Sequence, residues 1–185
     1  MRWSSASARQ TRAIAKNILS YYRGTGPRPL IFALTGNLGS GKTVFAQGIA
    51  QALGVRAKVQ SPTFVLMKWY DLSRARSRGL EQPFRGRRFF VHVDAYRIDR
   101  PRDLARLGVR DLFRDRDAII VIEWAEKIRP LIPKSAVWIT FRHSTRTRRI
   151  ITIRNHRTPT SYEFQRITNR HRHRRIRNSS VIRNT

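Results

Sequence analysis

The chain has 185 residues, a length that suits one domain with short extensions. It carries 39 Lys and Arg against 11 Asp and Glu, which gives a formal net charge of +28, and it has no Cys. Without Cys, disulfides, thiolate catalysis and Cys-ligated zinc are excluded, and a reducing, cytoplasmic location is expected. No apolar run approaches the roughly 20 residues that a membrane span requires, so we expect no membrane association.

The positive charge is distributed unevenly along the chain. The net charge is +5 over residues 1–23, +11 over 24–141 and +12 over 142–185. Arg outnumbers Lys by 33 to 6, a bias that codon composition can also produce. The charge is therefore consistent with a nucleic-acid-binding surface and equally with a solvated face and tail.

The first part of the chain predicts a helix, a strand and a second helix. Apolar residues recur at helical spacing over 5–22, which indicates an amphipathic helix. The apolar run PLIFALT (29–35) predicts a buried strand that ends at a Gly-rich turn. Helical spacing returns over 42–53, and Gly54 is a candidate for the residue that ends this helix.

The middle of the chain predicts three strands and a short helix. The segments 64–71, 88–94 and 118–124 are strand candidates, and the last is apolar at nearly every position, as strands of parallel sheets are. Residues 72–88 are polar and Arg-rich, which predicts a long hairpin loop. A short helix is expected over 103–107.

The C-terminal part predicts an antiparallel hairpin followed by a tail. Apolar and polar residues alternate over 136–142 and 148–154, on either side of a polar turn. Beyond Asn155 no sustained periodicity supports a core. We therefore expect an α/β domain over 1–155, which includes the N-terminal helix, and a basic, disordered tail over 156–185.

A glycine-rich loop lies between the strand 29–35 and the helix 42–53. It satisfies the pattern G-x-x-x-x-G-K-[ST]. Its residues are Gly36, Asn37, Leu38, Gly39, Ser40, Gly41, Lys42 and Thr43. Glycines let consecutive backbone N–H groups point at phosphate oxygens, and the start of the helix adds its positive dipole end. The loop therefore predicts a nucleotide site in a small P-loop NTPase-like domain, with a mixed, largely parallel sheet flanked by helices.

Four side chains could supply the chemistry that such a site requires. Lys42 is expected to reach the β- and γ-phosphates, and the hydroxyl of Thr43 is expected to bind Mg²⁺. Asp94 and Glu123 end two predicted strands, and parallel strands bring their C-terminal ends to the crevice where ligands bind. Either acid could hold the metal, act as the base or simply cap the segment that follows its strand.

Four motifs in this order give the chain a family resemblance. GNLGSGKT is followed by SPTF (61–64), HVDAYR (92–97) and IEW (122–124). The set resembles TsaE, the bacterial P-loop ATPase family of the pathway that makes threonylcarbamoyladenosine in tRNA, over about residues 8–154. The resemblance implies slow ATP hydrolysis by the protein alone. It also implies a TsaD–TsaB complex as the partner, which ATP turnover resets between rounds of tRNA modification.

The resemblance further implies roles for individual residues. The phosphate loop keeps the ATP and Mg²⁺ roles given above. Thr63 belongs to a nucleotide-sensing loop, Asp94 activates or positions the attacking water, and Glu123 is a magnesium-linked catalytic acid. Trp124 lies next to the nucleotide. Asn37 departs from the family, where Asp is common, and so removes one negative charge beside the phosphates.

Two other functions stay open from the sequence. A small-molecule kinase could use the same loop, with the Arg-rich segment 74–88 acting as a substrate lid. A basic module could instead bind RNA mainly through phosphate contacts, with ATP secondary. In the ATPase interpretation tRNA is reached indirectly through the partners or through the basic segments, among them the tail 156–185.

Overall fold

The computed structural model describes residues 1–22, 29–62, 65–73, 84 and 86–154. The strands are β1 (Arg2–Ser5), β2 (Leu30–Thr35), β3 (Met67–Asp71), β4 (Phe89–Asp94), β5 (Ala118–Glu123), β6 (Val137–His143) and β7 (Arg149–Arg154). They form one sheet in the order β1-β7-β6-β2-β5-β4-β3. The four central strands are parallel, and β1, β7 and β3 are antiparallel to their neighbours. The predicted α/β class, the mixed sheet and the C-terminal hairpin are confirmed.

Helices cover both faces of this sheet. They are α1 (Ala8–Tyr21), α2 (Lys42–Ala52), α3 (Pro101–Arg106) and α4 (Val109–Leu112), with a 3₁₀ segment at Ala125–Leu131. Because strand side chains alternate, β4 and β5 send every second residue to each face. Phe90 and Val121 pack on the side of α1 and α2, which we call the α2 face. Val91 and Ile120 pack on the opposite side with α3 and α4, which we call the α4 face.

The N-terminal segment differs from its prediction. Residues Arg2–Ser5 form the edge strand β1, paired with β7, so α1 begins at Ala8 rather than near Ser5. Ser7 caps α1, since its Oγ accepts a hydrogen bond of 3.1 Å from the backbone N–H of Gln10. The four residues of β1 carry no strand pattern of their own. Their conformation depends on the partner strand, which no local signal reveals.

The α2 face of the core is aromatic and closely packed. Edge-to-face ring contacts, with centroids 5.5–6.5 Å apart, run through Tyr22, Phe32, Phe45 and Phe141. Helices α1 and α2 approach each other at Gly48. A Cβ added there would lie 2.8 Å from the Cβ of Ala15 and 2.8 Å from the Cα of Arg12. Only glycine therefore allows this helix spacing.

The ends of the predicted hairpin loop 72–88 contribute to the core. β3 and β4 are antiparallel, as a hairpin requires, but Leu72 and Phe84 are buried. Arg87 is buried as well, and its guanidinium donates a hydrogen bond to the carbonyl oxygen of Arg116. These three residues are core or anchor positions, in contrast to the wholly polar loop that the composition predicts.

Parts of two predicted segments lie outside the described residues. They are 74–83 and 85 in the Arg-rich loop, and the tail 156–185. The domain boundary near residue 155 therefore stays a prediction. Within the described part of the chain, no helix combines the length and the apolar composition needed to cross a membrane.

Candidate active site

The glycine-rich loop connects the end of β2 to the start of α2. Gly36, Gly39 and Gly41 have φ angles of 136°, 71° and 101°, a region in which residues with a Cβ are strained. A Cβ on Gly36 would also lie 2.3 Å from the carbonyl oxygen of Phe141 in β6. The loop can therefore follow this path against the sheet only with glycine at these positions.

The start of α2 presents polar groups that a bound anion would satisfy. Gly41 caps the helix without a side-chain hydrogen bond, and the first turn contains no acid. The first N–H groups of a helix have no partner within it, and phosphate binds well at such a site. The Oγ of the fully buried Ser40 has no hydrogen-bond partner among the described residues. Leu38, in contrast, is 77% exposed, so the loop is open to solvent.

Lys42, the first residue of α2, folds back over the loop. Its Nζ donates hydrogen bonds of 2.6 Å to the carbonyl oxygen of Gly36 and 3.0 Å to that of Asn37. It also lies 3.7 Å from the centre of the Trp124 ring. Burial lowers the pKa of Lys42 below its ordinary value, whereas nearby carboxylates act in the opposite direction. The result is a partly desolvated ammonium group at the helix start, where an anion would interact strongly with it.

Glu123, the last residue of β5, links α2 to β4. The hydroxyl of Thr43 donates a hydrogen bond of 2.8 Å to its Oε2. The Nε2 of His92 lies 2.8 Å from its Oε1. Glu123 is only 3% exposed and His92 is fully buried. Both carboxylate oxygens of Glu123 are thus held by named donors.

Asp94 ends β4 beside Glu123, with which it is in register across the two parallel strands. Its Oδ2 accepts a hydrogen bond from the hydroxyl of Ser61, and its Oδ1 accepts one of 2.9 Å from the backbone N–H of Tyr96. Its own N–H donates to the carbonyl oxygen of Leu66 at 2.9 Å, and Leu66 has a left-handed φ of 61°. Asp94 is therefore fixed by the segment that precedes β3 and by the turn that follows β4.

Trp124 follows Glu123 and turns the chain out of β5 with a left-handed φ of 56°. Its ring lies 5.0 Å from the ring of Tyr96, measured between centroids, and Tyr96 is 45% exposed. Because Lys42 lies over the Trp124 ring, this aromatic pair is located beside the start of α2, at the C-terminal ends of β4 and β5.

The model of the family "Threonylcarbamoyl adenosine biosynthesis protein TsaE" matches residues 5–151. The chain belongs to the TsaE family. TsaE of Bacillus subtilis is 29% identical over 82% of this chain and 84% of its own length. TsaE of Haemophilus influenzae is 30% identical over 60% of this chain and 62% of its own, and TsaE of Mycobacterium bovis is 41% identical over 52% and 54%. Each is named tRNA threonylcarbamoyladenosine biosynthesis protein TsaE.

A solved structure supports the fold. The crystal structure of YdiB from Bacillus subtilis superposes with a TM-score of 0.64, at 23% sequence identity, and the match covers 92% of this chain and 95% of that one. The chain therefore has the mixed, largely parallel sheet and the P-loop NTPase-like fold predicted from its sequence.

In this TsaE-family chain, most of the predicted site residues lie together. The phosphate loop ends with Lys42 and Thr43, and these two side chains contact Trp124 and Glu123 at the C-terminal end of β5. Asp94 lies beside Glu123, at the end of the neighbouring parallel strand. Thr63 lies outside the described residues. The sequence prediction assigned no role to His92 or Ser61, although both belong to the motifs that carry the family resemblance. The signal that could have identified His92 is a polar side chain inside an otherwise apolar buried strand.

The donor atoms at α2 and β5 fit a magnesium ion better than a metal held by protein ligands alone. No group of three or more His, Cys, Asp and Glu side chains with metal-binding geometry occurs in the described part of the chain. Mg²⁺ usually keeps several waters and takes only one or two protein oxygens together with substrate phosphates. Thr43 and Glu123 provide such a pair of oxygens beside the phosphate loop.

Proposed function

We propose that this chain binds and hydrolyses ATP with Mg²⁺, as the ATPase component of the machinery that makes threonylcarbamoyladenosine in tRNA. One observation carries the proposal. Lys42 and Thr43, at the start of α2, converge with two buried acids at the ends of neighbouring parallel strands, Asp94 and Glu123. Phosphoryl transfer requires a phosphate-binding cation, a metal site and an acid that positions the nucleophile, and this cluster supplies all three.

In the proposed site the loop from Gly36 to Gly41 holds the phosphates with its backbone N–H groups. Lys42 would exchange its hydrogen bonds to the carbonyl oxygens of Gly36 and Asn37 for contacts with the β- and γ-phosphates. The hydroxyl of Thr43 donates a hydrogen bond to Glu123, so its hydrogen points at the carboxylate. The lone pairs of the hydroxyl oxygen point away from Glu123 and could bind Mg²⁺. When bound there, Mg²⁺ would supply positive charge to balance the charge that develops on the transferred phosphoryl group.

The two acids have different partners, which supports different roles. Glu123 contacts Thr43 and is proposed as the metal-linked acid. Asp94 contacts the 61–64 segment through Ser61 and is proposed to position the attacking water. Thr63, two residues after Ser61, is proposed to sense the γ-phosphate in the same segment. Trp124 would form the wall beside the nucleotide.

The proposed partner is a TsaD–TsaB complex. Family membership supports a partnered role, because the relatives are named for a pathway rather than for an isolated reaction, and this particular pair is what the motif resemblance implies. We propose that tRNA is reached through that complex or through the basic segments of this chain.

The decisive experiment measures ATP hydrolysis by the full chain with and without TsaD–TsaB. The wild type should show weak, Mg²⁺-dependent hydrolysis that the complex stimulates. Lys42→Ala should reduce it by about 100-fold or more, because one cation at the phosphates is lost. Lys134→Ala, which removes an exposed charge elsewhere, is the matched control. Hydrolysis that survives Lys42→Ala would contradict the site, and rapid ADP release with a small-molecule acceptor would favour the kinase alternative.

A further inference from the structure

His92 is a buried polar residue for which the proposed phosphoryl transfer has no direct use. It lies inside β4 with no exposed surface. Its backbone pairs with Val121 of β5, and Glu123 is two residues further along that strand on the same face. The 2.8 Å contact from its Nε2 to Glu123 is therefore a diagonal contact between neighbouring parallel strands. Phe90 stacks beside the imidazole with 6.4 Å between ring centroids.

The surroundings of the imidazole define its tautomer. A carboxylate oxygen can only accept a hydrogen bond, so the Nε2 of His92 carries the hydrogen. The Nδ1 is buried and has no hydrogen-bond partner among the described residues. A hydrogen on Nδ1 would be an unpaired buried donor, which costs about 1–3 kcal/mol. Of the two tautomers, the one with its hydrogen on Nε2 leaves no N–H group unpaired.

This hydrogen bond determines how Glu123 faces α2. A carboxylate is planar, so fixing Oε1 against His92 also fixes the direction of Oε2. That direction leads to the hydroxyl of Thr43, which donates at 2.8 Å. The chain of contacts therefore runs from β4 through β5 to the start of α2. Without the donor on β4, Glu123 could rotate about its side-chain torsions and lose the contact with Thr43.

A purely packing role would not require this arrangement. A leucine would fill a similar volume among the apolar neighbours of β4 without burying a polar ring. In this structure the imidazole lies where its one hydrogen meets an acid of the proposed site.

We propose that His92 is a positioning residue, which holds the carboxylate of Glu123 so that Thr43 and Glu123 together accept the Mg²⁺ of bound ATP. The inference rests on the proposed function, since it concerns the same site. It adds a residue on β4 to the determinants of metal affinity. Hydrogen-bonded partners of metal-site residues commonly change metal affinity by about 10–100-fold when they are removed.

The test uses His92→Leu, which removes the donor, and His92→Gln, whose amide can place an N–H group near the position of Nε2. Val91→Ala, on the α4 face of the same strand, is the control for lost stability. Each full-length variant is titrated with a fluorescent, non-hydrolysable ATP analogue, first in EDTA and then with increasing Mg²⁺. Thermal unfolding is recorded in parallel.

We expect His92→Leu to raise, by about tenfold, the Mg²⁺ concentration at which the affinity for the ATP analogue has increased halfway to its maximum. Its affinity for the analogue in EDTA should be unchanged. His92→Gln should restore most of this loss, and Val91→Ala should leave the Mg²⁺ requirement unchanged. An equal Mg²⁺ requirement in His92→Leu and the wild type would overturn the inference. An equal shift in both His92 variants would also overturn it, because a change in packing would then explain the effect.

A second readout does not depend on nucleotide. Nitrogen-15 NMR of the histidine-labelled wild type should show His92 as the Nε2–H tautomer, and Glu123→Gln should shift that resonance. A Nδ1–H tautomer contradicts the positioning role even if the Leu variant does not fold. If the wild type shows the expected tautomer but binds no nucleotide, the proposed function fails while the His92–Glu123 contact stands.

Discussion

Strands β4 and β5 present two different faces. On the α4 face their buried side chains are all apolar: Val91, Val93, Ile120 and Ile122. On the α2 face the same strands begin with apolar residues and end with buried polar ones: His92, Asp94 and Glu123. The backbone, the strand pairing and the depth of burial are the same for both faces. Only the elements that cover them differ.

The difference follows from what each face meets. The α4 face packs against short helices that contribute apolar residues such as Leu104 and Val109. The α2 face meets the start of α2, where Thr43 donates to Glu123 and Lys42 carries a positive charge. Polar groups are buried at low cost only where partners exist, so they collect on one face. Ligand chemistry and structural stability can therefore be perturbed separately within one pair of strands.

The largest effect is expected for Glu123→Gln on the α2 face. The change removes the negative charge and leaves one oxygen to accept from two donors, His92 and Thr43. We expect ATP hydrolysis to fall by about 10³-fold, equivalent to about 4 kcal/mol in the barrier. Steady-state hydrolysis at saturating Mg²⁺ measures the loss, and circular dichroism checks that the fold is kept. If the variant hydrolyses ATP at a rate within a few-fold of wild type, Glu123 on the α2 face does not contribute to the reaction.

On the α4 face, Ile120→Ala should affect stability alone. The side chain is fully buried, so its loss leaves a cavity and should lower the free energy of unfolding by about 3 kcal/mol. Urea denaturation measures this change. Affinity for the ATP analogue, measured below the unfolding transition, should stay within about twofold of wild type because no polar contact is altered. A larger loss of affinity would mean that the two faces are coupled.

Gly48→Ala should have the smallest of the three effects. It tests the close packing of α1 against α2, the two helices that cover the α2 face. The added Cβ would lie 2.8 Å from the Cα of Arg12 and 2.9 Å from its carbonyl oxygen, so α1 and α2 must separate. We expect a net destabilisation of about 1 kcal/mol, because overpacking exceeds the roughly 1 kcal/mol that Ala gains over Gly in a helix. Gln51→Ala, exposed on the same helix, should be neutral in the same thermal unfolding measurement. A stabilised Gly48→Ala would show that the helices can move apart freely.

The phosphate loop and the two acids could be predicted from the sequence because each carries a local signal. GNLGSGKT fixes the loop between a buried strand and a helix, and Asp94 and Glu123 end apolar runs that read as parallel strands. In the structure these elements have nearly the expected bounds. Local patterns were sufficient to predict these site residues, because parallel strands place their C-terminal ends at the same edge of the sheet.

Features that depend on distant partners were not predictable in the same way. β1 is a strand only because β7 lies beside it, and Arg87 is buried because the carbonyl of Arg116 accepts its hydrogen bond. His92 stands out in the sequence only as a polar residue within the apolar run of β4, which does not say what it contacts. Its proposed role depends on a contact with Glu123, which lies 31 positions later in the chain. No periodicity within a single strand can report such a contact.

Leu66 and Trp124 have left-handed backbones although neither is glycine, and each adjoins one of the two acids. Such conformations cost about 1–3 kcal/mol each and persist only where the surroundings impose them. Glycine at these two sites would relieve the strain, but it would also remove two side chains that pack against the core of the α4 face. The same exchange would loosen the carbonyl that accepts from Asp94 and would remove the ring beneath Lys42. Directed evolution of this chain for heat tolerance should therefore gain little at these two positions, and stabilising substitutions should appear away from the site.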